Sequence, residues 1–363
     1  MFIGRSSGFS ILMSLLFSAV GYTQTPSRPD MADGKYSQEA VIIEDLSTKV
    51  VFQSSGNFTR EQTTRVHVQT DAGIKAWGLL RFPFQSASET LGVDYVRVRK
   101  PDGSVVVTPA DSMQDLDGEI TRDAPFYSDL REKHVAVKGL APGDTLEFSV
   151  RWQNTKPLIP DEFWFEYDFD HNSTVLHELL QLRMPVERAV KVKGPQALQT
   201  VTKEQGAQVY TWISSNLEKA KDPKADQEKE RQSALGRIPP PDVQISSFQN
   251  WDQVGRWYWT LQKERVEPSA AIRAKAAEVT KGAADNAAKL NALYKFVSTQ
   301  YRYIGIAFGI GRYQPHAADD VLTNNYGDCK DKHTLLASLL QASGITIYPA
   351  LINSSRILDP DIP

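Results

Sequence analysis

The stretch Tyr326-Gly327-Asp328-Cys329-Lys330-Asp331-Lys332-His333 decides how this chain is read. Asp328 is a good helix N-cap, because its carboxylate can accept from the orphan N–H groups of the next turn. Asp331, three residues on, can reach back as its capping-box partner. Cys329 then falls at the first helical position. There the unpaired N–H groups and the positive end of the helix dipole favour a thiolate over a thiol. Lys330 and Lys332 add positive charge nearby. Leu335, Leu336, Leu339 and Leu340 follow, and Gly344 is a natural stop, so a helix is expected over Asp328–Ser343.

At ~100° per residue, Cys329, His333, Leu336 and Leu340 share an arc of about 60°. Lys330, Thr334, Ser338 and Gln341 are expected on the opposite face. A cysteine at the tip of a helix, on its packed side, can meet a base carried by another element, as a cysteine nucleophile requires. A buried structural cysteine is the plainer alternative, and the cap and the cations weigh against it. His333, one turn on, is better read as a packed histidine than as the base.

Outward from this helix, Ile345–Ile352 reads as an apolar strand. Upstream, Ala317–Leu322 reads as a short helix and Tyr301–Phe308 as a strand. Three helices are expected before them: Trp251–Arg265, a second capped by Ser269 and running to Lys281, and Asn286–Gln300 capped by Asp285. Helices followed by the start of a sheet make 248–363 an α+β region. The span 218–247 is charged with both signs and carries Pro239-Pro240-Pro241, which reads as a linker.

From 36 to 217 the pattern is strands. Val41–Gln53 and Phe58–Thr70 flank Gly56-Asn57, a hairpin signal. Val93–Arg99 and Ser104–Thr108 flank Pro101-Asp102-Gly103. His134–Lys138 and Thr145–Trp152 flank Pro142-Gly143-Asp144. Many short strands between turns predict an all-β sandwich. Asp161–His171 alternates, with Phe163, Phe165, Tyr167 and Phe169 on one face and acids on the other. In Trp251–Arg265 the residues Trp251, Val254, Tyr258 and Leu261 form one stripe, which suits a core; Trp257 and Trp259 fall off it.

Residues 1–21 read as a cleaved signal peptide. Arg5 supplies the positive start, and Phe9–Val20 is an apolar run of 12 residues, short of the ~20 that span a bilayer. Ala19 and Gly21 suit a cut before Tyr22. The mature protein is therefore expected to be periplasmic or secreted, with no stable membrane anchor.

The chain has 363 residues, 41 basic and 44 acidic side chains, and a net charge of −3. Near-neutrality argues against nucleic acid as a partner and against a polybasic grip on anionic lipid. One cysteine makes no intrachain disulfide, no Cys-x-x-Cys pair and no thiolate zinc site. No His/Asp/Glu cluster has metal spacing, and no cofactor is expected.

Gly327-Asp328-Cys329-Lys330-Asp331-Lys332 with its leucine pairs resembles the nucleophile helix of bacterial transglutaminase-like proteins. Tyr303-Ile304-Gly305-Ile306 through Gly309-Ile310-Gly311-Arg312-Tyr313-Gln314-Pro315 is similar to their approach to the cysteine. The sandwich resembles the domain of unknown function that often precedes this core in exported bacterial proteins. The resemblance implies a papain-like Cys-His-Asp site acting on peptide or isopeptide bonds, with protein, peptide or cell-envelope polymer as partner and hydrolysis favoured over crosslinking. Cys329 is the triad member that carries over. Asp328, Lys330, Asp331 and Lys332 support it as cap and local charge. The family's His and Asp lie on strands after the segment matching Ile345–Ile352, so they are expected beyond residue 363 and the core as given is incomplete. A non-catalytic envelope-binding or scaffold protein with a degenerate core is the alternative.

Overall fold

The computed structural model describes residues 36–117, 130–217, 239–304, 313–352 and 359–363. The signal-peptide stretch 1–21, residues 218–238 of the charged span and residues 305–312 of the approach to the cysteine lie outside them.

The sandwich begins with an antiparallel hairpin, β1 (Val41–Phe52) and β2 (Phe58–Val68), as its turn residues predict. Gly56 in that turn has φ +86°, and a Cβ there would lie 2.6 Å from the Glu162 carbonyl, so both conformation and space demand glycine. Then follow α1 (Asp71–Trp77), β3 (Leu79–Gln85), β4 (Glu89–Arg99), β5 (Val105–Val107), β6 (Met113–Asp117), β7 (Leu130–Ala136) and β8 (Thr145–Asn154). Next come β9 (Trp164–Tyr167), β10 (Val175–Pro185), β11 (Lys191–Lys193), β12 (Gln199–Glu204), β13 (Ala207–Asn216) and β14 (Val243–Ser246).

Eight of these strands form one sheet in the order β12-β13-β10-β1-β2-β8-β4-β5. Every pair in it is antiparallel except β1 with β10, which run parallel. Two three-stranded sheets, β3-β7-β6 and β11-β14-β9, close separate cores against it. Val66, Val96, Leu146 and Phe148 of the large sheet bury against Leu80, Phe82 and Val135. Val50, Phe52, Leu182 and Trp212 bury against Phe163, Val243 and Ile245. Leu46 packs into the first core and Val50 into the second; four residues apart on β1, they share one face, so both small sheets cover the same side. The alternation expected over Asp161–His171 is present, with Phe163, Phe165, Tyr167 and Phe169 all directed into the second core.

Three expectations change here. Pro142-Gly143-Asp144 does turn, with Gly143 at φ +89°, but β7 and β8 belong to different sheets, so the turn carries the chain across the sandwich rather than round a hairpin. The span read as linker, 218–247, ends in β14, a fully buried strand between β9 and β11. β3 went unread because Pro83 interrupts its pattern; it lies at a sheet edge, where a missing N–H is tolerated.

The helical region contains α2 (Trp251–Gln262), α3 (Ala270–Val279), α4 (Asn286–Gln300), β15 (Arg302–Tyr303), α5 (Ala318–Asn324), β16 (Tyr326–Gly327) and α6 (Cys329–Ala342). Asn250, Ser269 and Asp285 cap α2, α3 and α4 through their side chains. Leu335, Leu339 and Leu340 of α6 are fully buried with Ile272, Leu293 and Val321 of the surrounding helices. The other side of α6 is buried too: Lys330, Thr334 and Ser338, expected to face water, are covered. The helix is packed all round, and a single apolar stripe does not describe a helix with neighbours on every side. Cys329 at its tip is exposed.

Ile345–Ile352 is not a strand. Ile345 and Ile347 pack on the helical core, whereas Tyr348 is 81% and Ile352 85% exposed. A strand is made by its ladder, and no described residue pairs with this run. Trp251 is also displaced from the expected core stripe; its indole Nε1 donates to the Pro360 carbonyl at 2.9 Å. Trp257 instead joins the two regions, with ring centroids 6.0 Å from Trp164 and 5.2 Å from Tyr313. No described helix is long and apolar enough to cross a membrane.

Candidate active site

Cys329 is positioned by what precedes it. β15 and β16 form a short parallel pair that sets Tyr303 opposite Gly327, two residues ahead of the cysteine. Gly327 is itself a space requirement: a Cβ there would lie 2.6 Å from Cβ of Asp331. Asp328 then caps α6, its Oδ1 accepting from the N–H of Lys330 at 3.1 Å and of Asp331 at 3.2 Å. Oδ2 of Asp331 accepts in return from the Asp328 N–H at 3.3 Å, which completes the capping box.

Asp331 does more than cap. It is fully buried, and its Oδ1 accepts from the backbone N–H of His316 at 2.8 Å, while His316 Nδ1 lies 3.1 Å from both carboxylate oxygens. Burial alone would push this carboxyl up; the side-chain and backbone hydrogen bonds from His316 outweigh burial and hold it below the usual carboxylate range. Asp328 goes the other way. Its burial, with the like charge of Asp331 beside it, raises its carboxyl.

The two lysines are not free charges at the thiol. Lys330 is buried and its ammonium pairs with the Asp328 carboxylate. Lys332 donates to the carbonyl of Tyr301 at 3.0 Å, tying α6 to the end of α4. What remains at Cys329 is the helix N-terminus, with two phenols in its electrostatic surroundings. Tyr258, buried on α2, is pushed up to about 12, first by burial and then by facing Cys329, Asp328 and Asp331. Tyr303 is raised by the desolvation of its phenol and by the negative charge of Cys329 and Asp328 near it.

His333 does not turn toward the thiol as a base would. Its Nδ1 lies 3.0 Å from Nε2 of Gln262, and burial holds its imidazole below the ordinary value. Tyr258, Tyr303 and His316 are the neighbours that sequence reasoning did not bring to the site. Tyr303 opens the segment already singled out, and Tyr258 sat on the stripe of α2, so a signal existed for both. For His316, just ahead of a helix and best explained by helix entry, there was none, because its partner lies 15 residues away across α5 and β16.

Two family models match the chain. A domain of unknown function with solved structure (DUF3857) matches residues 54–221, and the transglutaminase-like superfamily matches residues 273–348, which include Cys329. Among curated proteins none matches. Among solved structures, a candidate protease from Parabacteroides distasonis is similar over 87% of this chain, with a TM-score of 0.69 and 17% identity. The chain spans 63% of the length of that structure. An M1 zinc metallopeptidase from Deinococcus radiodurans aligns over 58% of this chain and 42% of its own, with 12% identity and a TM-score of 0.28, too slight to bear on the fold.

Proposed function

We propose that this chain, a DUF3857 domain followed by a transglutaminase-like core, is the front part of an exported cysteine-nucleophile enzyme acting on peptide or isopeptide bonds. One observation carries this: the only cysteine of the chain is exposed at the first position of a doubly capped helix, inside the transglutaminase-like match.

The chemistry follows from that position. The Cys329 thiolate attacks the carbonyl carbon of an amide; the C–N bond breaks and the leaving amine takes a proton. A thioester to Cys329 remains. Water then gives hydrolysis and a second amine gives crosslinking, and hydrolysis is the outcome we favour. The positive end of the helix dipole lies at Cys329, the first residue of α6, where negative charge gathers on sulfur ahead of attack. The general base and its orienting acid come from strands following the segment that contains Ile345–Ile352, encoded beyond codon 363. Substrates are proteins or peptides outside the cytoplasm, reached through the leader at 1–21.

Iodoacetamide labelling tests the nucleophile in the chain as it stands. At about neutral pH Cys329 should label faster than a free thiol such as glutathione. Labelling no faster than glutathione would overturn the assignment. The reading frame beyond codon 363 tests the enzyme: a histidine-bearing strand followed by an aspartate supports it, and a stop codon there favours a binding or scaffold protein instead. Cell fractionation tests export, with cytoplasmic retention of full-length chain as the contrary result.

A further inference from the structure

The alternation of β9 leaves two of its side chains outside the sandwich. Phe165 and Tyr167 pack into the second core, so Trp164 and Glu166 face away from it, about 6.6 Å apart along the strand. β9 is an edge strand, paired with β14 alone. Beside it, Trp164, Phe165, Glu166 and Tyr313 line a half-open recess of about 290 Å³. That volume suits one side chain rather than a cofactor.

The rings of this recess are held in place. Trp164 and Tyr313 meet at 82° with centroids 5.6 Å apart, so each keeps ring surface that the other does not cover. Trp257, which does not line the recess, lies 5.2 Å from Tyr313 and 6.0 Å from Trp164, and Phe248 lies 6.0 Å from Trp164. Trp164 comes from the sandwich and Tyr313 from the approach to Cys329, so both regions build the recess.

Its charge is unanswered. Glu166 is exposed, and its carboxylate has no ion-pair or hydrogen-bond partner among the described residues. The cations on the same face of this small sheet are committed elsewhere. Strand register places Lys193, Gln244 and Glu166 in one row and Lys191, Ser246 and Trp164 in another. Lys193 pairs with Asp359, and Lys191 donates to the Asp361 carbonyl at 3.1 Å. Arg188, from the chain just before β11, is held by Glu162.

These features select a ligand. Glu166 repels an anion, and a purely apolar group gains nothing from it. A cation on an alkyl stem meets both demands, its stem against the rings and its charge at a ring face and the carboxylate. Lysine and arginine side chains share that chemistry, and arginine adds a planar fork for the carboxylate.

We propose that this recess binds the side-chain cation of a basic protein segment, its stem across Trp164 and Tyr313 and its charge on Glu166. The assignment goes beyond the enzyme reading and requires no chemistry at Cys329.

The indole signals of the full chain, labelled with ¹⁵N-tryptophan, test it. The chain has seven tryptophans, and Trp164→Phe identifies the signal of Trp164. Acetyl-lysine amide and acetyl-arginine amide are titrated at constant ionic strength, with acetyl-norleucine amide as the uncharged control. At least one of the two cations should move the Trp164 signal saturably, with half-saturation below about 20 mM. The norleucine compound should bind at least about fivefold more weakly. Glu166→Gln, a change at an exposed position, should weaken the cation about fivefold and leave the other indole signals in place. No saturable shift from either cation up to about 100 mM would overturn the proposal. So would equal binding of the norleucine compound, or wild-type binding of the cation by Glu166→Gln.

Discussion

Glu147 in the sandwich and Asp331 in the helical core are both buried carboxylates held below the usual range, by different means. Burial opposes ionisation of each. At Glu147 on β8 the reversal comes from Arg97 at 2.6 Å and Arg99 at 3.5 Å, with Arg65 at 3.7 Å. Those three side chains are themselves 39–42% exposed, so Glu147 is shielded by cations that lie partly in solvent rather than by the body of the protein. At Asp331 the reversal comes from His316, through side-chain and backbone hydrogen bonds, with the charge of Lys330 adding to it, and the carboxylate has no exposure at all. The first arrangement is adjustable. The second is part of the frame that holds Cys329.

The largest effect separating the two is expected from Asp331→Ala. It removes half of the capping box and strands His316, and should destabilise the protein by about 3 kcal/mol, read by thermal or urea unfolding. Cys329 labelling should change with it. A loss no greater than that of an ordinary surface substitution would break the comparison. Glu147→Gln should cost about 1 kcal/mol or less, because its partners are half in water. Raising salt to about 1 M should remove most of that difference, since screening reaches exposed pairs, and should leave the Asp331→Ala cost unchanged. Both carboxyls are depressed in the folded state, so the stability each contributes is present above the unfolded value of ~3.9–4.3 and is lost as pH falls through the folded value. The smallest effect belongs to His333. Its folded value is lowered by burial, so the unfolded chain takes up a proton the folded one refuses, and stability declines as pH falls through about 6.5. His333→Asn should flatten the melting curve between about pH 7.5 and 5.5 by less than about 1 kcal/mol; an unchanged slope would assign the pH dependence elsewhere.

What was legible in the sequence was local. The capping box at Asp328 and Asp331, the caps at Ser269 and Asp285 and the β1–β2 hairpin each depend on residues a few positions apart, and each is present. The α4 bounds Asn286–Gln300 were readable to the residue. What escaped was set at long range. The burial of Thr334 and Ser338 depends on which helices surround α6, and Ile345–Ile352 needed a partner strand that nothing in its own composition supplies. The pairing of His316 with Asp331 and the stacking of Arg60 over Trp152 each join residues of different elements.

The parallel pairing of β1 with β10 also has a consequence in time. Ile43 meets Val175, so the strand at the centre of the large sheet gains its second neighbour only after well over a hundred further residues have joined the chain. Until then the hairpin of β1 and β2 presents an open apolar edge, with Val50 and Phe52 uncovered. Sandwich assembly is thus gated by loop closure, a slow, high-contact-order step. The helices around Cys329 lie closer together along the chain than β1 and β10 do, and can collapse sooner once synthesised. The sandwich is the part of the molecule whose folding is most exposed to misassociation, and the part that benefits most from chaperone protection during synthesis.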